Sequence, residues 1–283
     1  MEVKISDIKG DTDKIKPLSI VLFNDTILEI FNKLNIRDLG ICRQVSKQWN
    51  KLASDPSLLK NVIYRDFAFN PMDWNRYFAS GLINKFDAQK AFESLPLNIY
   101  AILESSSPLH QAKKIMDTHM LIWIPKTISG QVVSINNFAE LLKQMEEFSD
   151  NELGYNYIWD TVAKKQGGSV AEHGWVLMTK DVLPNSRDFD FGAQQILVGN
   201  LNKNENQNWK VPKMAEAAIC IYANNLKSGK FSFSNKPFTY TRCQENVKGG
   251  QVFIGAYDLK GIDIHNFNFY AHVNIGIAAV WRL

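Results

Sequence analysis

LSIVLFNDTILEIFNKLNIRDLGICRQVSKQWNKLASDPSLL, residues Leu18 to Leu59, decides how the first quarter of the chain folds. Ile27, Ile30, Phe31 and Leu34 recur at i, i+3, i+4 and i+7, which lines one face of a helix with apolar side chains. Asn24 or Asp25 is expected to start that helix, because a short polar side chain accepts from the free backbone N–H groups of a first turn. At Asn35-Ile36-Arg37-Asp38 the spacing is that of a capping box with Asp in place of Glu. A second short helix begins there, with Leu39, Cys42 and Val45 on its buried side. A third runs from Ser46 to Ser54 with Trp49, Leu52 and Ala53 facing inward. Asp55-Pro56 then pairs a cap with a proline at the first helical position, the start signal for a further turn. Several short helices in roughly 45 residues lie close to the lower size at which a domain folds alone, so part of their apolar surface is expected to wait for a partner.

Periodicity by itself describes any small helical bundle. The order of residue types is more specific: Leu22, then Ile27-Leu28-x-Ile30-Phe31-x-x-Leu34, Asp38-Leu39, Val45-Ser46-Lys47-x-Trp49-x-x-Leu52-Ala53, and Asp55-Pro56-Ser57-Leu58. In type and spacing this resembles the F-box, a short helical module that docks an adaptor. Arg65-Asp66-Phe67 and Trp74-x-x-Tyr77-Phe78 resemble the tail that follows many F-boxes, so the resemblance covers about 60 of the 283 residues. It implies a substrate-receptor subunit that docks a Skp-type adaptor and, through it, the cullin of an SCF ubiquitin ligase. The docking residues it implies are Leu22, Phe23, Ile27, Ile30, Phe31, Leu34, Asp38, Leu39, Val45 and Trp49. Two positions depart from the family pattern. Leu22-Phe23 stands where Leu-Pro is usual, and Phe23 does not fix φ as proline does, while Leu59 replaces a late tryptophan.

A length of 283 residues suggests about two domains. With 45% hydrophobic and 22% charged residues the composition is that of an ordinary globular protein. A net charge of +3 with no dense Lys/Arg tract gives no reason to expect nucleic acid or a membrane surface. Residues 1–16 carry no continuous apolar core of a signal peptide and read as a flexible arm. No window approaches the roughly 18 apolar residues that span a bilayer. Cys42, Cys220 and Cys243 are odd in number and far apart, which suits a reducing, cytoplasmic setting better than a disulfide framework. Neither zinc-finger spacing nor an HExxH pattern occurs, and no metal or cofactor is expected.

The domain expectations are residues 1–16 an arm, 17–66 the helical module, 67–109 a helical junction with breaks at Pro96 and Ser105–Pro108, and 110–283 an α+β domain that holds a protein target. Within the last, Met120–Pro125, Val132-Val133, Trp175–Thr179, Val252–Ile254 and Ile262–Ile264 read as strands. Asn136 or Asn137 is expected to cap a helix carrying Phe138, Leu141, Leu142 and Met145. Further helices are expected over Tyr155–Lys165, Ala193–Leu197 and Pro212–Lys227, the last with Met214, Ala217, Ala218, Ile221 and Tyr222 as its apolar side and Gly229 past its end. Ile275–Trp281 is apolar enough to be a central strand. Gly174–Arg187 and Pro237–Tyr257 resemble a region of F-box-like proteins of intracellular bacteria, which implies an effector acting in a host cytosol.

Two kinds of site are candidates in this domain. Phe238, Tyr240, Tyr257, Phe267, Phe269 and Tyr270 cluster late, among Asn and Gly, and aromatics held on a sheet offer much contact area for little lost entropy. The plainer account is a sheet packed on the long helix. For catalysis, Cys243 with His173 as base and Asp181 as orienting acid would make a hydrolase or transferase, although no signature surrounds them. His119 is expected at a strand end with its ring satisfied. An adaptor competitor that recruits no target is the remaining alternative.

Overall fold

A computed structural model describes residues 16–78, 81–110, 112–128, 130–145, 155–202, 207–267 and 271–283; the side chains of residues 16–23 and 267 lie outside the description. The expected arm at 1–16 is, but for the backbone of Lys16, also outside it. The chain forms two compact units, Met1–Asp66 and Phe67–Leu283. The class is α+β, a helical first unit followed by mixed helices and strands.

The first unit contains α1 (Lys16–Phe31), α2 (Ile36–Cys42), α3 (Lys47–Ala53) and α4 (Pro56–Val62), followed by a π-helical turn at Ile63–Phe67. Its caps are local and follow the sequence. Asn35 Oδ1 accepts from the Asp38 amide at 3.0 Å, and its Nδ2 donates to the Asp38 carboxylate at 2.7 Å. Ser46 Oγ accepts from the Trp49 amide at 3.1 Å, and Asp55 Oδ1 from the amides of Ser57 and Leu58 behind Pro56. The start of α1 differs from expectation. The helix begins eight residues before Asn24, with Pro17 in its first turn, and Asn24 accepts from Gln48 Nε2 at 2.6 Å instead of capping. No breaker separates Leu18 from Phe31, so the helical pattern runs through the polar pair. Ile27, Phe31, Leu39, Cys42, Ala53, Leu58, Leu59, Val62 and Ile63 are buried, and Phe31 meets Trp49 edge-on at 5.3 Å. Arg65 holds the carbonyl oxygens of Asn32 and Leu34 at the end of α1, where a helix leaves acceptors unpaired.

The second unit opens with the segment expected to be a junction. Its helices α5 (Pro71–Tyr77), α6 (Lys85–Ser94) and α7 (Ile99–Glu104) are part of the packed body. Trp74 Nε1 donates to Trp123 O at 2.8 Å, Trp175 Nε1 to Ala91 O at 2.7 Å, and Phe69 bridges to Ile122. Buried tryptophans need a partner for the indole N–H, and here that need ties helix to strand.

Then follow α8 (Ile115–Thr118), β1 (His119–Ile124), the hairpin β2 (Thr127–Ile128) and β3 (Gln131–Val132), α9 (Ile135–Lys143), β4 (Tyr157–Ile158), α10 (Asp160–Gln166), β5 (Gly174–Thr179), α11 (Phe191–Gly199), β6 (Trp209–Lys210), α12 (Met214–Ser228), β7 (Tyr240–Val247), β8 (Gly250–Asp258), β9 (Gly261–Phe267), β10 (Ile275–Ile277) and β11 (Val280–Arg282). One sheet has the order β1-β5-β11-β6, all antiparallel; the other runs β10-β7-β8-β9-β4, with parallel pairs at both edges. Helix α12 packs against β1 of the first sheet and β7 and β8 of the second, as well as α9. Its residues from Met214 to Asn224 are buried without interruption, so it is enclosed and not amphipathic as expected. Gly229 ends it at φ 67°, a left-handed conformation glycine adopts without steric cost.

Three further expectations are corrected. Ser134, not Asn136 or Asn137, caps α9. The helix placed at Tyr155 begins at Asp160, because Tyr157-Ile158 pairs in parallel with Asp263-Ile264, a use that suits aromatic and β-branched residues. The terminal apolar run is two strands in two sheets: β10 lies at an edge and β11 in the interior. Where the chain crosses over, the Ala278 amide donates to Thr241 Oγ1 at 2.7 Å and the Ala279 amide to Thr179 Oγ1 at 3.3 Å. Two buried hydroxyls thus replace the ladder bonds the switch gives up. Arg282 fastens β11, pairing with the buried Glu216 of α12 and with Glu172 at 3.0 Å.

Candidate functional site

The first unit divides its apolar residues between core and surface. Ile27, Phe31 and Leu39 are buried; Leu34, Asp38 and Trp49 are half-buried. Ile30 is 53% exposed and Val45 60% exposed. The stripe Ile27, Ile30, Phe31, Leu34 is therefore not one buried face. Successive residues on a helix are 100° apart, so packing that encloses Phe31 leaves Ile30 turned away. Val45, expected on the buried side of α2, follows the end of that helix and faces outward. Ile41, not among the expected docking residues, is 59% exposed on α2 beside the buried Cys42. Its signal was an isoleucine off the helix's inner face. The backbone of Leu22 and Phe23 lies in α1, and their side chains are outside the description.

On the second sheet the late aromatics separate. Tyr257 is buried, donates to Asn225 Oδ1 at 3.1 Å and packs on Tyr222 at 5.0 Å, so it belongs to the contact with α12. Phe238, 51% exposed, and Tyr240 instead border a hollow of about 270 Å³, together with Phe253, His265, His272, Asn274 and Ile275. The Phe267 side chain, Phe269 and Tyr270 lie outside the described residues.

Strand register builds this hollow. Ile275 pairs with Tyr240, and Phe253 pairs with His265. Phe253 and His265 stack at 5.6 Å, with 22° between planes; Tyr240 stands edge-on to Phe253 at 5.3 Å and to His265 at 6.0 Å. Tyr157 of β4 stacks on His265 at 4.8 Å. Asp263 lies two residues before His265 on β9, hence on the same face. Its carboxylate accepts from Asn156 Nδ2 at 2.7 Å and from Tyr240 Oη at 3.4 Å, and lies 3.8 Å from His265 Nε2. Burial and the adjacent carboxylate raise the ionisation of Tyr240 above the ordinary phenol range, which keeps it a neutral donor. Phe253, His265, Tyr157 and Asp263 were not singled out in the sequence, because their meeting depends on register.

The catalytic set does not assemble. Cys243 is fully buried on β7, and burial, reinforced by Glu245, holds its thiol well above the usual range, which disfavours the thiolate a nucleophile needs. His173 and Asp181 flank the two ends of β5 and are both exposed. The six-residue strand between them spans roughly 20 Å. His119 is buried with only part of its ring satisfied: Nδ1 lies 2.8 Å from Thr118 Oγ1, while Nε2 has no partner among the described residues. Among the described residues no group of three or more His, Cys, Asp or Glu side chains is arranged to hold a metal ion, and no helix is long and apolar enough to cross a membrane.

Residues 24–65 match the family model described as F-box-like, and the first unit thus carries an F-box-like domain. No curated protein and no solved structure matches the chain.

Proposed function

We propose that the chain is a substrate-receptor subunit of an SCF-type ubiquitin ligase. The reading rests on one observation: the F-box-like match over residues 24–65 coincides with a unit that leaves Ile30, Ile41 and Val45 exposed. Large aliphatic side chains in water are unfavourable, and a partner that covers them recovers that loss. We assign Ile30, Leu34, Ile41 and Val45 to the docking face, to which the family resemblance adds Leu22 and Phe23, while Ile27, Phe31 and Leu39 shape the unit from within. The adaptor held there is of the Skp type and links the chain to a cullin. The second unit holds a protein target on the sheet face around Phe238 and Tyr240. Holding a target beside the charged conjugating enzyme supplies proximity, which is a catalytic contribution that needs no active site in this chain. The resemblance of Gly174–Arg187 and Pro237–Tyr257 to proteins of intracellular bacteria extends the reading to an effector in a host cytosol.

The experiment is affinity capture of the intact chain from a eukaryotic lysate, followed by identification of adaptor, cullin and target. Adaptor and cullin together support the reading. Adaptor without cullin indicates a competitor that recruits nothing, and absence of the adaptor refutes the assignment. Phe238→Ala is expected to lose the target and retain the adaptor.

A further inference from the structure

Strand β6 lies at the edge of the first sheet and pairs with β11 on one side only. On its other side a side chain meets the backbone. The Trp209 N–H donates to Asn202 Oδ1 at 2.5 Å, and the Trp209 carbonyl accepts from Asn202 Nδ2 at 3.0 Å. A carboxamide carries the donor and the acceptor of a peptide unit, so Asn202 makes the two bonds that a residue of a neighbouring strand would make. Two residues on, where the backbone again faces outward, Gln244 Nε2 donates to the Val211 carbonyl at 2.5 Å. Beside this edge is a hollow of about 390 Å³. Trp209, Lys210 and Val211 all line it. Side chains alternate between the faces of a strand, so a hollow that reaches three residues in succession lies along the edge. Its other wall is α11, through Phe191, Gln195 and Val198, which share one helical face. From Phe191 to Val198 the helix rises about 10 Å, the length of about three extended residues.

We propose that this edge is a strand-addition site. An extended segment of a partner protein pairs with β6 along Trp209 to Val211 and displaces the exposed Asn202 side chain, which holds the place of a strand in the free chain. The exchange is close to neutral in hydrogen bonds, since an amide replaces an amide. The net gain comes from the hollow, where alternate side chains of the segment meet Phe191, Val198 and Trp209. Charge selects among segments. Among the described residues Lys210 is the one ionisable side chain that lines the hollow. The carboxylates near it are engaged: Glu172, which its charge reaches, with Lys213 at 2.6 Å and Arg282 at 3.0 Å, and Glu245 with Ser169 Oγ at 2.7 Å and the Met214 amide at 2.8 Å. A segment with an acidic residue therefore suits the site. The surface belongs to the first sheet, not to the second, which carries Phe253 and His265, and it stands independently of the docking assigned to the first unit.

The test is an NMR titration of the full chain with three blocked pentapeptides: acetyl-Val-Thr-Glu-Thr-Val-amide, its counterpart N-methylated at the three inner residues, and its counterpart with lysine in place of glutamate. The parent peptide is expected to shift the backbone amide resonances of Trp209 and Val211 saturably. The N-methylated peptide, which has lost its inner donors, should bind about tenfold more weakly, and the lysine peptide about threefold more weakly. Asn202→Ala removes the internal competitor and should tighten binding of the parent peptide about fivefold, with thermal unfolding reporting whether the fold is intact. Binding by Asn202→Ala alone would make Asn202 a permanent block on the edge and overturn the proposal. Failure of the parent peptide with both chains overturns it too, as does equal affinity for the N-methylated peptide, a result that needs no variant. Equal affinity for the lysine peptide overturns the choice of an acidic segment.

Discussion

Acidification from pH 7 to 5 should weaken the second unit through one side chain, His119. The ring is fully buried at the start of β1, 5.0 Å from the ring of Trp209. Burial depresses its pKa to about 3; a hydrogen bond to Ile115 O opposes the shift and the Lys180 ammonium adds to it. The unfolded chain takes up a proton near pH 6.5, the folded one only near pH 3. Between those values the unfolded state binds more protons, so stability falls as pH drops through the window and is at its full value above it. Integrating from pH 7 to pH 5 gives a loss of about 2 kcal/mol from this residue alone. The figure is insensitive to the lower pKa, because pH 5 is already well above it. Carboxylates and other histidines titrate too, so the assay is a difference. Urea unfolding followed by tryptophan emission is measured at both pH values for the wild type and for His119→Gln. Six of the seven tryptophans, all but Trp49, lie in residues 67–283, so the signal reports that unit. The wild type should lose about 2 kcal/mol more than the variant. Parallel losses would refute a buried, neutral His119.

Other perturbations address the packing and the buried thiols. Lys227→Met removes the partner of Asp73, a 2.9 Å pair in which the two side chains are 19% and 9% exposed, and should cost roughly 2–3 kcal/mol in urea unfolding because a largely buried carboxylate loses its counter-charge. An unchanged midpoint would mean that solvent or other donors already compensate Asp73. Iodoacetamide should leave Cys220 and Cys243 unmodified in the native chain and alkylate both after denaturation, since both are buried with thiols raised above the usual range. Rapid native alkylation of Cys243, detected by mass spectrometry, would reopen a nucleophilic role for it.

What could be read from the sequence was what short-range chemistry determines. Asn35 and Asp55 cap helices because each needs only amides two or three residues away. The apolar runs around Met120 and Trp175 became buried strands because their composition allows little else. The failures were positions whose state is fixed from a distance. Asn24 is satisfied by Gln48 of α3 and so does not start its own helix. Tyr157 joins a strand more than a hundred residues away. The run after Ile275 divides because Thr241 and Thr179, on different sheets, take its amides. The binding face shows the same limit. Phe238 and Tyr240 were legible as aromatics among turn residues, whereas Phe253, His265 and Asp263 join them only through pairing of β7, β8 and β9.

The adaptor interface is tested most directly with purified components. Ile30→Asp places a charge on an exposed position and should leave the helical circular dichroism unchanged, whereas Phe31→Asp would bury that charge and confuse unfolding with lost docking. Isothermal titration of a Skp-type adaptor into the intact chain should therefore give saturable binding for the wild type and at least a tenfold loss for folded Ile30→Asp, about 1.4 kcal/mol. Equal affinity for both, or no binding by the wild type, would contradict the proposed docking of the F-box-like unit.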